Sequence, residues 1–250
     1  MLLEVGNLFK RLGLDAGTVI HVGAHEAEER DFYMSLNLSP RLWIEAQPEL
    51  VSKLITRLAP PQDQVIEGAV WSESGLSISL NISSNSQSSS VLELGSHSAH
   101  YPGITYVGTV EVKSIVLGDI LSNMERVTLL NLDIQGAELQ ALKGAGDHVA
   151  KVEAIYVEVN FEEVYKECAL IGEIDSYLNV YGFKRVLTFR TQAGWGDALY
   201  LKQRVPIRLA PILWIQRGGL RWRYLVAWSI TKLGSVRAVK AIMRTIRRQN

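Results

Sequence analysis

The chain has 250 residues, of which 47% are hydrophobic and 21% are charged, and its formal net charge is zero. This composition excludes a largely disordered chain, and the length predicts one large core with an appendage. The only cysteine, Cys168, excludes an internal disulfide framework and a zinc site built from several cysteines. A single cysteine of structural type fits a reducing compartment, so we expect a cytoplasmic protein.

The amino terminus does not have the pattern of a secretory signal. Residues 1–13 mix apolar side chains with Glu4, Lys10 and Arg11, which interrupt any apolar core, so we expect a short amphipathic helix. No segment reaches the roughly 18 consecutive apolar residues of a membrane span. We therefore expect a soluble or peripheral protein.

Short apolar segments typical of buried strands recur along the chain, with helical patterns between several of them. This alternation predicts an α/β fold with a mainly parallel sheet and helices on both faces. Residues 183–190 and 198–202 are expected to form an antiparallel pair at a sheet edge. The other predicted strands are residues 19–22, 42–44, 65–70, 129–132 and 155–159.

Two helices are clear from their spacing. Residues 48–58 have leucine at every fourth position from Leu50 and a proline near the start, where its missing amide is harmless. A second helical face begins at Ile171 and is ended by Gly182.

A polar stretch lies between the predicted strands at residues 65–70 and 129–132. Residues 76–82 alternate as a half-exposed strand should, and residues 83–90 form a serine-rich segment. One interpretation is a flexible connector. The alternative is a lid or substrate loop that brings hydroxyl groups, with His97, His100 and Tyr101, to the mouth of a site.

The turn after the first strand predicts a ligand contact. Gly23 lets the backbone approach a ligand closely, and a helix is expected to follow with Glu26, Glu28 and Glu29 in its first turn. Free amide groups at such a helix start can bind a carboxylate or phosphate. The other glycines of the G-x-G-x-x-G fingerprint are missing, and the acidic residues would repel a pyrophosphate, so a dinucleotide is disfavoured.

Glu45 ends the next strand, 22 positions after Gly23. An acid at this place in such folds accepts hydrogen bonds from ribose hydroxyls. A strand-end acid can also be merely solvated, but its pairing with the glycine turn favours the ribose interpretation. The expected ligand is an adenosine-type nucleoside with a small anionic end.

Asp133 and Glu158 end two strands that we expect to be neighbours, and Asn160 lies two residues further on. Such a cluster can act as a base for a substrate hydroxyl, hold a cationic amine, or bind Mg²⁺ through oxygen ligands. The alternative is that one acid only caps the following helix. Glu138 is either a surface residue or a partner of the helix dipole. The histidines have no zinc-binding spacing, so zinc is not expected.

Four stretches together resemble the FkbM-type methyltransferases, a branch of the class I S-adenosylmethionine-dependent enzymes. The most specific is the Asp-x-x-Gly-Ala-Glu motif at residues 133–138. The tail beyond residue 203 is not covered by the resemblance. The four stretches are residues 21–26, 43–46, 132–145 and 196–200.

The resemblance implies a doubly wound, mainly parallel, Rossmann-like sheet of seven strands with a terminal antiparallel hairpin. It also implies S-adenosylmethionine as cofactor and O-methylation of a hydroxyl on a sugar, glycolipid or natural product. Ala27 and His21 depart from the glycine and the acid that many relatives have at these positions. The expected cofactor-binding residues are His21, Gly23, Ala24, His25, Glu45 and Ala46, and the expected catalytic residues are Asp133 and Glu158.

Two other classes of function stay open on this evidence. One is a nicotinamide-dependent oxidoreductase on a similar sheet, which the missing glycines disfavour. The other is a catalytically silent nucleoside-binding module that acts through its basic tail. Each of these classes of protein binds a small molecule. The expected substrate partner of a methyltransferase is a small-molecule or glycan acceptor.

The carboxyl-terminal end of the chain differs from the rest in charge. Residues 201–250 contain 12 Lys and Arg and no Asp or Glu, whereas residues 1–200 contain 14 basic and 26 acidic residues. We therefore predict a methyltransferase domain at residues 1–204 and a basic, aromatic-rich helical tail at residues 205–250. An anionic membrane surface or a protein partner suits this tail better than nucleic acid does, and packing on the acidic domain is the plain alternative.

Overall fold

The computed structural model describes residues 9–202, apart from residue 11. Its strands are β1 (Gly17–Val22), β2 (Leu38–Glu45), β3 (Asp63–Glu67), β4 (Ala69–Val70), β5 (Ser77–Ser83), β6 (Tyr106–Ile115), β7 (Val127–Leu132), β8 (Val152–Asn160), β9 (Phe183–Arg190) and β10 (Trp195–Lys202). The helices with defined bounds are α1 (Arg30–Ser35), α2 (Pro48–Arg57), α3 (His97–His100), α4 (Leu117–Ser122), α5 (Glu138–Ala145) and α6 (Ile171–Val180). A 3₁₀ helix, Gly146–Lys151, follows α5.

Seven strands form the central sheet in the order β3-β2-β1-β7-β8-β10-β9. Strands β1, β2, β3, β7 and β8 pair in parallel, whereas β10 pairs antiparallel with both β8 and β9. This confirms the predicted mainly parallel, seven-stranded sheet with an antiparallel hairpin at one edge. The strand order reverses between β1 and β7, and open α/β sheets bind ligands at such a switch point.

The continuous apolar sequence of the central strands follows from burial on both faces of the sheet. All six residues of β7 are buried. One face packs against α4, α5 and α6, and the other against α1 and α2. Helix α2 begins at Pro48 and α6 ends before Gly182, as the sequence predicts.

The segment predicted as one strand at residues 65–70 is two strands. Gly68 separates β3 from β4 with a φ of +153°, and a Cβ atom there would lie 2.9 Å from the Ile115 side chain. Strand β4 leaves the central sheet and joins a second sheet of order β4-β6-β5. The predicted half-exposed strand at residues 76–82 is β5 of this sheet, whereas β6 was not predicted.

The helix after Gly23 begins later than the sequence suggests. His25 and Ala27 have φ angles of +45° and +57°, which a right-handed helix does not allow. Helix α1 therefore begins at Arg30, and the prediction that Glu26, Glu28 and Glu29 lie in its first turn is wrong.

Several predictions concern residues outside the described ranges. Residues 1–8 and 203–250 are not described, so most of the amino-terminal amphipathic segment, the boundary after residue 204 and the basic tail stay predictions. Between residues 9 and 202, none of the helices described is long and apolar enough to cross a membrane.

Candidate active site

A cleft opens at the carboxyl ends of β1, β2 and β7, at the switch point of the sheet. It contains about 610 Å³ of empty space, its open mouth included. The loops that follow these three strands line it, together with the serine-rich segment. The lining residues considered below are Gly23, His25, Glu45, Ala46, Gln47, Ser86, Ser90, Asp133 and Gln135.

Gly23 permits a close approach between two strand ends. Its φ is +82°, and a Cβ atom at this position would lie 1.8 Å from the carbonyl oxygen of Asp133. The Asp133 N–H in turn donates to the Val22 carbonyl at 3.0 Å. The sequence predicted that this glycine serves contact with a ligand, and the structure shows that it also lets Asp133 pack beside β1.

Glu45 is held by backbone amides at the end of β2. Its Oε2 accepts the N–H of His25 at 2.8 Å, and its Oε1 accepts those of Ala46 and Gln47 at 2.9 and 2.8 Å. Because only 8% of the residue is exposed, loss of hydration raises the pKa of this carboxyl, and the three amides oppose that rise. A carboxylate has about four acceptor positions, so Oε2 keeps one for a ligand hydroxyl.

The imidazole of His25 connects the loop after β1 with the serine-rich segment. Its Nδ1 lies 2.7 Å from Glu28 Oε1, and its Nε2 lies 2.8 Å from Ser86 Oγ. At the other end of the segment, the Ser90 hydroxyl donates to the Gln135 carbonyl at 2.7 Å. The serine-rich segment therefore forms a wall of the cleft, as the loop interpretation required.

Two of the expected cofactor-binding residues lie beside the cleft, where their side chains do not line it. His21 is buried, with its Nδ1 3.2 Å from the Tyr33 hydroxyl and its Nε2 3.2 Å from Asn131 Nδ2. Burial lowers the pKa of this imidazole to about 4, so the ring is neutral at physiological pH. Ala24 is buried in the core. Gly23, His25, Glu45 and Ala46 line the cleft, and the role of all six as cofactor ligands stays a prediction.

Gln135 joins the two predicted catalytic acids. Its Nε2 donates to Asp133 Oδ1 at 2.6 Å and to Glu158 Oε2 at 3.1 Å, while its Oε1 accepts the Tyr165 hydroxyl at 2.5 Å. The backbone of Gln135 has a φ of +55°, which is uncommon for a residue other than glycine. Sequence reasoning missed Gln135 and Tyr165, although Gln135 lies inside the motif that carries the family resemblance.

The two acids differ in their surroundings. Glu158 is only 6% exposed, and burial, followed by the charges of Asp133, Glu138 and Asp197, holds its pKa well above the usual range. Solvent reaches Asp133 at the mouth of the cleft, but the protein around it removes part of its hydration, which raises its pKa while the Gln135 amide opposes the rise. Two interacting carboxyls titrate apart, and because Glu158 is the more buried of the two, it is the one whose protonated form is favoured.

Glu138 is not a surface residue, but it lies in the first turn of α5, as the alternative of a helix-dipole partner predicted. It is 1% exposed, and its carboxylate accepts the N–H of Ile134 at 3.0 Å and the N–H of Gly136 at 3.1 Å. Burial raises the pKa of this carboxyl to about 7. Glu138 thus shapes the turn that presents Asp133 and Gln135.

The aromatic and imidazole groups predicted at the mouth lie away from the cleft lining. The ring of His97 packs against those of Tyr101 and Tyr165, with centroids 5.1 and 5.5 Å apart. His100 Nε2 lies 2.9 Å from Glu162 Oε1. The serine-rich segment therefore lines the cleft without these residues.

Asn160 and Cys168 are both buried. Asn160 is fully buried, and its side-chain amide has no hydrogen-bond partner among the described residues. Cys168 is buried against Val164 and Tyr165, which fits a structural role. Among the side chains from residue 9 to residue 202, no group of three or more His, Cys, Asp or Glu is placed to hold a metal ion.

The chain is similar to known methyltransferases. Residues 21–185 match the family described as the methyltransferase FkbM domain. A structure of methyltransferase FkbM from Methylobacillus flagellatus KT superposes with a TM-score of 0.50 at 15% identity, covering 78% of this chain and 47% of that one. The chain thus spans about half of that relative's length.

A second structure is that of magnesium protoporphyrin IX methyltransferase from Synechocystis PCC 6803 with bound SAM. Its TM-score is 0.47 at 10% identity, with 81% of this chain and 78% of that one covered. No curated protein sequence matches the chain. Because the FkbM domain match covers well over half of its residues, this protein belongs to the FkbM family of S-adenosylmethionine-dependent methyltransferases.

Proposed function

We propose that the protein transfers a methyl group from S-adenosylmethionine to a hydroxyl oxygen of a sugar, glycolipid or natural product. The observation that carries the proposal is the set of contacts at Gln135. They bring Asp133 and Glu158 together at the edge of the cleft. The family supports methyl transfer, and these acids support a hydroxyl acceptor.

The residues of the cleft fit the proposed cofactor. Glu45 has an acceptor position for a ribose hydroxyl, and the Gln47 Oε1, buried without a hydrogen-bond partner among the described residues, can accept from the nucleoside. Gly23 and His25 are the residues that would lie beside the methionine part.

The chemistry requires alignment and the removal of one proton. S-adenosylmethionine, when bound, supplies an electrophilic methyl group. Transfer of this methyl group to the acceptor oxygen would break the sulfur–carbon bond and release the hydroxyl proton, which Asp133 would accept. The products are a methyl ether and S-adenosylhomocysteine. Gln135 holds Asp133 Oδ1, which leaves Oδ2 for the acceptor, and burial raises the pKa of Glu158 well above its usual range, which favours its protonated form.

Cofactor binding and turnover distinguish this function from the two alternatives, a nicotinamide-dependent oxidoreductase and a catalytically silent module. In calorimetric titrations of the full chain we expect binding of S-adenosylhomocysteine and no binding of NAD. Incubation with S-adenosylmethionine and a panel of sugars, glycolipids and polyketides is expected to release S-adenosylhomocysteine with at least one acceptor. Binding of NAD alone would show an oxidoreductase, and cofactor binding without turnover of the panel would show a silent module.

The role of Asp133 is tested by Asp133→Asn. We expect methyl transfer to fall by about 10²- to 10⁴-fold, the usual contribution of a general base, with unchanged affinity for S-adenosylhomocysteine. The matched control is Asp119→Asn, which changes an exposed acid of α4 and should leave the rate unaltered. Transfer at the wild-type rate by Asp133→Asn contradicts the assignment.

A further inference from the structure

The serine-rich segment has a fixed internal shape. The Ser83 hydroxyl donates to Asn85 Oδ1 at 2.7 Å, and the Ser89 hydroxyl donates to the Ser86 carbonyl at 2.7 Å. The Ser83 N–H donates to Ser89 Oγ at 3.0 Å. These bonds cross-link the segment, so it has a defined shape and is not a flexible connector.

This unit spans the cleft and is attached on both sides of it. Ser86 contacts His25 at the nucleoside side, and Ser90 contacts Gln135 at the side of the catalytic acids. Each contact joins residues far apart in the chain, and each comes from a loop of the second sheet to a loop of the central sheet. The segment therefore bridges the two halves of the site.

The contact at Ser86 reaches the acid expected to bind ribose. Glu28 accepts from His25 Nδ1, which turns Nε2 toward Ser86, and the His25 N–H donates to Glu45 Oε2. Ser86 and His25 both have positive φ angles, of +58° and +45°. Residues held in such sparsely populated conformations cluster at active sites and ligand clamps.

We infer that the serine-rich segment is a cap over the bound S-adenosyl ligand and that Ser86 is a positioning residue, acting on Glu45 through His25. This inference rests on the proposed function. The Ser86–His25 contact keeps the cap closed and keeps the His25 amide directed at Glu45. Loss of the Ser86 hydroxyl then shortens the residence of the ligand, whereas the stability of the fold is little changed.

The experiment measures the dissociation of S-adenosylhomocysteine from the immobilised full chain by surface plasmon resonance. For Ser86→Ala we expect a dissociation rate constant about three- to tenfold higher, the effect of losing one hydrogen bond. Ser79→Ala, an exposed serine of β5 outside the segment, is the matched control and should dissociate as the wild type does. Ser86→Asn should restore slow dissociation, because Asn tolerates a positive φ and offers both donor and acceptor.

A second readout separates a cap from a structural serine. Hydrogen exchange in residues 83–90 should slow when S-adenosylhomocysteine binds to the wild type and to Ser79→Ala, and slow much less in Ser86→Ala. If Ser86→Ala loses thermal stability, Ser86→Gly removes the same hydroxyl at a φ that glycine adopts freely.

The outcomes are distinct. No binding of S-adenosylhomocysteine to the wild type overturns the proposed function, and the inference with it. Normal binding to the wild type, with Ser86→Ala and Ser86→Gly dissociating at the wild-type rate, overturns the cap alone.

Discussion

Gln135 connects the two acids of the site through a single amide. Its Nε2 contacts both Asp133 and Glu158, and its Oε1 is fixed by the Tyr165 hydroxyl. The amide favours the charged form of either carboxyl and adds no charge of its own. A neutral residue is therefore important at this position, because a third carboxylate would increase the repulsion.

The substitution Gln135→Glu tests this directly. A third negative charge raises the pKa of Asp133, and because the reaction requires its charged form, the rising limb of kcat/KM against pH should move to higher pH. The profile is measured with the acceptor found to support turnover. Gln64→Glu, an exposed change on β3, is the control and should leave the limb in place. A limb that stays in place in Gln135→Glu as well would contradict the role given to Gln135.

At the scale of elements, Gly23 determines how closely β1 and β7 end together. Gly23→Ala places a methyl group where the Asp133 carbonyl lies, at a φ of +82°. We expect it to lower the free energy of unfolding by about 3 kcal/mol or more, from strain and steric overlap together. Urea denaturation followed by circular dichroism measures the change.

The matched control for this prediction is Gly172→Ala in α6. No atom lies within 4 Å of a Cβ built at Gly172, and its φ is not in the left-handed region. This variant should gain about 0.5–1 kcal/mol, because Ala favours a helix over Gly. Equal stability of the two variants would show that the close approach at Gly23 matters little.

The elements that could be predicted from the sequence are those with a local signal. Apolar runs mark the parallel strands, and Pro48 and Gly182 mark helix ends. The second sheet could not be predicted, because its pairing of β4 with β6 is long-range and only Gly68 interrupts the strand before it. The late start of α1 depends on the positive φ of His25, for which the side chain gives no signal.

The residues of the site could be predicted only where they, too, have a local sequence signal. Asp133 and Glu45 could be identified because strand-end acids occupy a known place in such folds. Gln135 and Tyr165 could not, because they meet across 30 positions of chain and neither has a strong local pattern. Burial of Glu138 was missed because a charged residue in a first helical turn usually faces solvent.

At the scale of the whole molecule, charge is divided along the chain. Residues 1–200 have an excess of acids, and part of this excess is buried around Asp133 and Glu158. Residues 201–250 have 12 basic residues and no acid. A segment with this charge and several tryptophans has the composition of one that binds an anionic bilayer, and we propose that it does so.

The test of this proposal keeps the full chain and changes its charge. Each basic residue near an anionic surface contributes about 1 kcal/mol, so replacing Arg244, Arg247 and Arg248 together by Gln should weaken binding to phosphatidylserine vesicles on the order of 100-fold. Co-sedimentation with the vesicles measures it. The matched control replaces three basic residues of the folded domain, Lys53, Lys113 and Lys184, by Gln and should bind as the wild type does. Equal loss in both triple variants would indicate attraction by overall charge, and equal recovery of the wild type and the tail variant would rule out a membrane role for these arginines.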